Sequence, residues 1–141
     1  MRSRYNARNN WPAATKPYRF KTTSSDGGET WAPVSFDTGL EGNSCQGSLI
    51  SAGGNLSDTL FFAHPMGAGR TRMTVRKSVD GAKTWPKELQ VFAGGAAYSC
   101  LSPLPSAFGA SHIGLLFERA DELCTQGSSC LIAFASVPAD W

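Results

Sequence analysis

An eight-residue pattern occurs twice in this sequence and constrains the fold more than any other feature. Ser24–Trp31 is SSDGGETW and Ser78–Trp85 is SVDGAKTW; both fit S-x-D-x-G-x-T-W, except that Ala82 replaces the second glycine. The two central aspartates, Asp26 and Asp80, lie 54 residues apart. Two near-copies at that spacing indicate a repeated supersecondary unit.

Each copy follows a segment in which side chains alternate between two faces, as they do in a β-strand. These segments are Tyr18–Thr23 and Met73–Lys77. The Asp-Gly dipeptide favours a tight turn, and the aspartate side chain can accept hydrogen bonds from backbone amides within it. We therefore predict that both copies are hairpin turns, with structural roles for Ser24, Asp26, Gly28, Trp31, Ser78, Asp80 and Trp85.

Short apolar or alternating segments fill the intervals between the copies, and glycine-rich clusters such as FAGGAA are predicted to be turns. The additional predicted strands are Ser48–Ala52, Leu60–Ala63, Leu89–Phe92, Tyr98–Leu101, His112–Glu118 and Cys130–Ser136. Several short strands per unit, repeated about every 50 residues, are typical of a β-propeller. The sequence thus predicts an all-β chain of two to three blades.

Charge and composition argue against several functional classes. The net charge of the 141 residues is only +2 and the basic residues are not clustered, so no nucleic-acid partner is expected. There is no apolar run of about 18 residues for a transmembrane helix and no apolar segment of a signal peptide near the N-terminus, so the compartment is left undetermined. The four cysteines lack C-x-x-C spacing, and no metal or cofactor is expected. Cys124 and Cys130 could form a disulfide or remain two buried thiols.

Five further segments appear in a fixed order around the two copies. They are YNARN (5–9), CQGSLI (45–50), RTRMTVR (70–76), GGAAYS (94–99) and GLLFER (114–119). From about Tyr5 to about Val137, this series resembles the exo-α-sialidase (neuraminidase) family, especially its bacterial and lysosomal-type members. The resemblance implies that the two copies are Asp-boxes and that residues 1–141 are a single incomplete domain, part of a six-bladed propeller whose N-terminal half is absent.

The resemblance also implies roles for particular residues. Arg8 and Arg70 match two members of the arginine triad that binds the sugar carboxylate, and Tyr98 matches the nucleophile. Glu118 matches the glutamate that orients the first triad arginine, and Gln46 is a possible pocket residue. Arg72 is two residues from Arg70, so the sequence leaves open which of the two faces the pocket. Arg76 is expected to brace the blade, and His64 and His112 are expected to be structural.

The implied activity is removal of terminal sialic acid from a glycoprotein, oligosaccharide or glycolipid, with a tyrosine nucleophile and retention of configuration. In the family, the first triad arginine, the acid/base aspartate and the glutamate that activates the tyrosine precede the NAR motif. Only seven residues precede Arg8 here. We therefore predict that the chain alone is inactive. The alternative is a propeller that binds sialic acid or other glycans, or serves in assembly, without catalysis.

Overall fold

The computed structural model describes residues 18–41, 45–51, 59–67, 69–105, 111–120 and 131–141, and its regular structure there is all β. The strands are β1 (Tyr18–Lys21), β2 (Ser35–Glu41), β3 (Ser48–Ser51), β4 (Leu60–Gly67), β5 (Thr71–Ser78), β6 (Lys87–Pro103), β7 (His112–Arg119) and β8 (Leu131–Pro138). Within these ranges, no helix is long and apolar enough to cross a membrane.

The strands form two sheets in which each strand pairs with its neighbour in sequence. β1 and β2 form an antiparallel pair, and β3 to β8 form a six-stranded antiparallel sheet in sequential order. The 17-residue strand β6 pairs with β5 through its first part and with β7 through its second part. This long strand therefore joins a four-stranded unit, β3–β6, to a second unit, β6–β8.

The main core lies between these two units. The first unit contributes the fully buried Phe61, Ala63, Met73 and Val75. The facing side chains of the second unit are Ala96, Leu101, Ile113, Leu115, Phe117 and Val137. Alternate residues of each strand point to the same face, so the central strands bury one apolar row against the other unit.

A second, smaller core joins the β1–β2 pair to the large sheet. Leu40 of β2 packs with Phe62 of β4 and with Trp85. The indole Nε1 of Trp85 donates a hydrogen bond to Asp37 Oδ2 at 3.1 Å, and Lys21 Nζ forms an ion pair with the same carboxylate oxygen at 3.1 Å. Because Asp37 is buried, these two donors compensate a charge that would otherwise be costly to bury.

Both copies of the repeated pattern form turns with matching hydrogen bonds. The serine hydroxyl accepts the amide of the fifth residue, from Gly28 at 2.8 Å in the first copy and from Ala82 at 2.9 Å in the second. The aspartate accepts the amide of the seventh residue, Thr30 or Thr84, at 3.0 Å and 2.9 Å. Each aspartate accepts hydrogen bonds from the threonine hydroxyl, from the threonine amide and from the serine hydroxyl, and these bonds lower its pKa below the usual range.

The two turns differ in what their tryptophans contact, and this difference predicts unequal effects of mutation. We expect Asp80→Ala to lower the melting temperature more than Asp26→Ala, because the second turn supports the buried Trp85 whereas Trp31 is largely exposed. Thermal unfolding of the two variants, followed by circular dichroism, measures this difference. Equal shifts in the melting temperature would show that the turns do not differ in this way.

One predicted turn was wrong, and one strand was not predicted. The FAGGAA segment is not a turn but the middle of β6, which runs without interruption from one unit to the next. Its glycines are required by close packing: a Cβ on Gly95 would lie 2.7 Å from Ala120 Cβ, and one on Gly94 would lie 2.8 Å from the Phe92 ring. Strand β2 was missed because Asp37 and Gly39 interrupt its apolar pattern; pairing with β1 forms it nonetheless.

Candidate functional site

The candidate site is organised around a β-bulge in β6. Ala96 pairs with Arg119 and Ser99 pairs with Phe117, so Ala97 and Tyr98 together lie opposite the single residue Glu118. A bulge of this kind bends its strand and redirects side chains, and bulges are frequent beside active sites. Tyr98 is 41% exposed here although its neighbours Ala97 and Ser99 are buried.

Side chains from two other segments bind the backbone amides of the bulge. The Tyr98 amide donates to Glu118 Oε2 at 3.2 Å, and the Ser99 amide donates to Gln46 Oε1 at 3.0 Å. Gln46 Nε2 in turn donates to the Gly47 carbonyl at 3.0 Å. The Ser99 hydroxyl donates to the Ala63 carbonyl of β4 at 3.2 Å. The bulge is therefore held by side chains where the regular strand ladder is interrupted.

Arg70 reaches the same place from the turn between β4 and β5. Its backbone has a φ of 63°, in the left-handed region that few non-glycine residues adopt. The Arg70 carbonyl accepts the Ala96 amide at 2.8 Å, which ties the turn to β6. The guanidinium carbon of Arg70 lies 5.6 Å from the centre of the Tyr98 ring, within the range of a cation–π contact. Both side chains are exposed.

The neighbouring arginines have different contacts. Arg72 Nε donates to Gln90 Oε1 at 3.0 Å, so of these two arginines it is Arg70 that lies beside Tyr98. Arg76 donates to the Trp85 carbonyl and forms an ion pair with Glu88 at 3.3 Å. Arg76 thus connects β5 to the start of β6.

We call Gln46, Arg70, Tyr98 and Glu118 the Tyr98 cluster. The buried thiol of Cys45 lies close to this cluster. Burial raises the pKa of Cys45, and the negative charge of Glu118 raises it as well. The positive charges of Arg70 and Arg19 lower this pKa, but burial outweighs them. Electrostatic influence on one thiol from both Arg70 and Glu118 agrees with their meeting at one site.

The structure brings together four of the residues singled out in the sequence, although they are distant in the chain. Arg8 lies outside the described residues, as do Cys124 and Cys130. Within the described ranges, no group of three His, Cys, Asp or Glu residues could hold a metal ion.

Arg19 is not among the residues predicted from the sequence. It is buried, and its guanidinium carbon lies 5.1 Å from the centre of the Phe62 ring. Burial lowers the pKa of Arg19. Its Nε and Nη2 atoms have no hydrogen-bond partner among the described residues. The local pattern YRFK gives no signal of this, because arginine in a short strand is usually exposed.

The Tyr98 cluster presents a guanidinium and a phenol side by side on an accessible surface. A guanidinium binds a carboxylate through two parallel hydrogen bonds, and a phenol oxygen can act as a nucleophile when a base removes its proton. The arrangement therefore suits a ligand that carries a carboxylate next to an electrophilic carbon.

Comparison with known proteins finds sialidases among the relatives of this chain. No family model matches the chain. A "Sialidase" from Micromonospora viridifaciens is 31% identical over an alignment of 117 residues that covers 78% of this chain and 18% of that protein. The solved structure of "Hadza microbial sialidase Hz136" superposes with a TM-score of 0.66 at 30% identity, over 89% of this chain and 24% of that one.

A second solved structure, "NanB plus Optactamide", has a TM-score of 0.66 and 26% identity over 86% of this chain and 20% of that one. The chain is thus similar to sialidases in sequence and in fold along most of its length, and it spans about a fifth of the length of these relatives. The predicted fold class, all-β and part of a sialidase-like β-propeller, is confirmed.

Proposed function

We propose that this chain is part of an exo-α-sialidase, a glycoside hydrolase that removes terminal sialic acid from a glycoprotein, oligosaccharide or glycolipid. The observation that supports this most is the contact between Arg70 and Tyr98 at an exposed bulge, in a chain similar to sialidases. On this proposal the two turns at Asp26 and Asp80 are Asp-boxes, which stabilise the blades and take no part in the chemistry.

Arg70, Arg8 and Tyr98 have distinct roles in the proposed reaction. Arg70, together with Arg8, binds the sugar carboxylate. The Tyr98 phenol oxygen, after losing its proton to a base, forms a bond to the anomeric carbon as the bond to the leaving oxygen breaks, and an acid protonates that oxygen. Water then displaces the tyrosine, so the configuration is retained. Because the anomeric carbon bears a carboxylate, a phenol approaches it with less repulsion than Asp or Glu, the usual glycosidase nucleophiles.

We propose further that the chain alone does not turn over substrate at a useful rate. The Tyr98 cluster contains one carboxylate, Glu118, and its Oε2 already accepts the Tyr98 amide. The proposed chemistry also needs a base for the phenol and an acid for the leaving group. General acid–base catalysis contributes about 10²–10⁴-fold to the rate of an enzyme.

Hydrolysis of a fluorogenic α-sialoside by the purified chain tests this proposal, with Tyr98→Phe as the matched control. We expect the wild-type chain to release no more fluorophore from this substrate than the Tyr98→Phe control does. Robust release that Tyr98→Phe abolishes would contradict the inactivity of the chain while supporting Tyr98 as nucleophile. Equal and robust release by both proteins would contradict the role of Tyr98.

A non-catalytic glycan-binding propeller is the second candidate, and the single carboxylate of the Tyr98 cluster favours it. The DNA upstream of Met1 distinguishes the two. An open reading frame that encodes the first triad arginine and further repeats supports the enzyme. A stop codon there supports the binding protein.

A further inference from the structure

The bulge that directs Tyr98 outward is held in place by the side chain of Gln46, which comes from another segment of the chain. Gln46 Oε1 accepts the Ser99 amide, and Gln46 Nε2 donates to the Gly47 carbonyl. The second bond fixes the plane of the side-chain amide, and so determines that its oxygen faces Ser99. Both polar ends of Gln46 are therefore used in one geometry.

The segment that carries Gln46 is packed tightly against β4. A Cβ on Gly47 would lie 2.5 Å from Phe62 Cζ and 3.0 Å from the Ala63 carbonyl oxygen, so the absence of a side chain at Gly47 permits this approach. The same Ala63 carbonyl accepts the hydroxyl of Ser99. Ser99 is thus held by Gln46 on one side and by β4 on the other. It directly follows Tyr98, whose ring lies beside Arg70.

We propose that Gln46 is a positioning residue for Tyr98. By holding the Ser99 amide where the β6–β7 ladder is interrupted, it fixes the bulge and keeps the Tyr98 ring beside the Arg70 guanidinium. This inference rests on the proposed function, because it assigns Gln46 a role in arranging the proposed nucleophile and the proposed carboxylate ligand. Gln46 itself takes no part in the chemistry.

A neighbouring hydrogen bond provides a matched control. Ser48 Oγ accepts the Leu101 amide at 2.9 Å, so it ties the same two segments together outside the bulge. Leu101 pairs in regular register with Leu115, whereas Ser99 follows the register shift. Ser48→Ala therefore removes a comparable bond without releasing the bulge.

The experiment is NMR spectroscopy of the isotopically labelled 141-residue chain. It measures amide hydrogen exchange and the ring-current shift that the Tyr98 ring imposes on the Arg70 side chain. In Gln46→Met we expect Ser99 amide exchange to accelerate about tenfold, as loss of one hydrogen bond implies, and the Arg70 ring-current shift to disappear. In Gln46→Glu either carboxylate oxygen can accept the Ser99 amide, so the orienting bond to Gly47 is no longer needed, and we expect both to stay near their wild-type values.

In Ser48→Ala, Leu101 exchange should accelerate while Ser99 exchange and the Arg70 shift stay unchanged. The proposal is overturned if Gln46→Met leaves the Arg70 shift intact, if Ser48→Ala removes it equally, or if Gln46→Glu loses it. If Gln46→Met does not fold, the Arg70 shifts of Gln46→Glu and Ser48→Ala still test the proposal in the way just described. No sialoside is used, so this outcome is separate from that of the proposed function.

Discussion

Replacing Trp85 by alanine is expected to lower the free energy of unfolding by about 3–5 kcal/mol, the usual range for truncating a large buried aromatic residue. Trp85 is only 5% exposed, and its ring centre lies 6.1 Å from that of Phe62. Its Nε1 donates to the buried Asp37 carboxylate. Truncation would leave both a cavity and a buried charge with one donor fewer.

Trp31 provides the matched control, because it occupies the same eighth position of the repeated pattern. Its Nε1 donates to the Gly28 carbonyl within its own turn, and its side chain is 61% exposed. We expect Trp31→Ala to lower the free energy of unfolding by less than about 1 kcal/mol. Urea denaturation of the two variants gives both values. Similar losses would contradict the view that Trp85 joins the β1–β2 pair to the large sheet.

The stability of the fold is expected to decrease as the pH falls below about 6.5, because of His64. His64 is fully buried beside the Phe62 ring, and its two ring nitrogens have no hydrogen-bond partner among the described residues. Burial, together with the positive charges of Arg19 and Arg76, lowers the pKa of His64 to about 3. The neutral ring is therefore maintained well into the acid range.

The sign follows from proton uptake. An unfolded histidine has a pKa near 6.5, so between pH 6.5 and pH 3 the unfolded chain binds a proton that the folded chain does not. The free energy of unfolding then falls by about 1.4 kcal/mol for each pH unit in this window. Asp26 and Asp80, whose pKa values are lowered, lose their contribution mainly below about pH 4, so measurements from pH 6.5 to pH 4.5 report chiefly on His64.

The test is urea denaturation across that pH range. His64→Leu should flatten the dependence of the free energy of unfolding on pH. His112→Gln, which replaces the other of the chain's two histidines, should leave this dependence as it is in the wild-type protein. A His64→Leu variant that keeps the full wild-type slope would contradict this account.

Local chemistry made much of this fold predictable from the sequence. The strand and turn at each repeated pattern follow from alternation and from the Asp-Gly dipeptide. Tyr98, Arg70 and Gln46, which the sequence predicts as site residues through their resemblance to sialidase motifs, lie in one cluster. The motifs leave the geometry of these residues undetermined, and it is the structure that shows Arg70, and not Arg72, beside Tyr98.

What the sequence did not predict depends on contacts between distant segments. The continuity of β6 across Gly94 and Gly95 depends on packing against Ala120 and Phe92, and glycine pairs otherwise indicate turns. The β6 bulge is defined by its register against β7, and no local pattern records that register. Burial of Arg19 likewise depends on Phe62, more than 40 positions away in the sequence.

The central claim is that Arg70 and Tyr98 lie at a site for the carboxylate of sialic acid, and an NMR titration of the labelled chain tests it most directly. N-acetylneuraminic acid is added in one series and its methyl ester, which lacks the negative charge, in another. We predict that the acid shifts the Arg70 guanidinium and Tyr98 ring signals and that the ester shifts neither. In Arg70→Met the acid should leave the Tyr98 ring signals unchanged. Unchanged signals with the acid, or equal shifts with the acid and the ester, would contradict the claim.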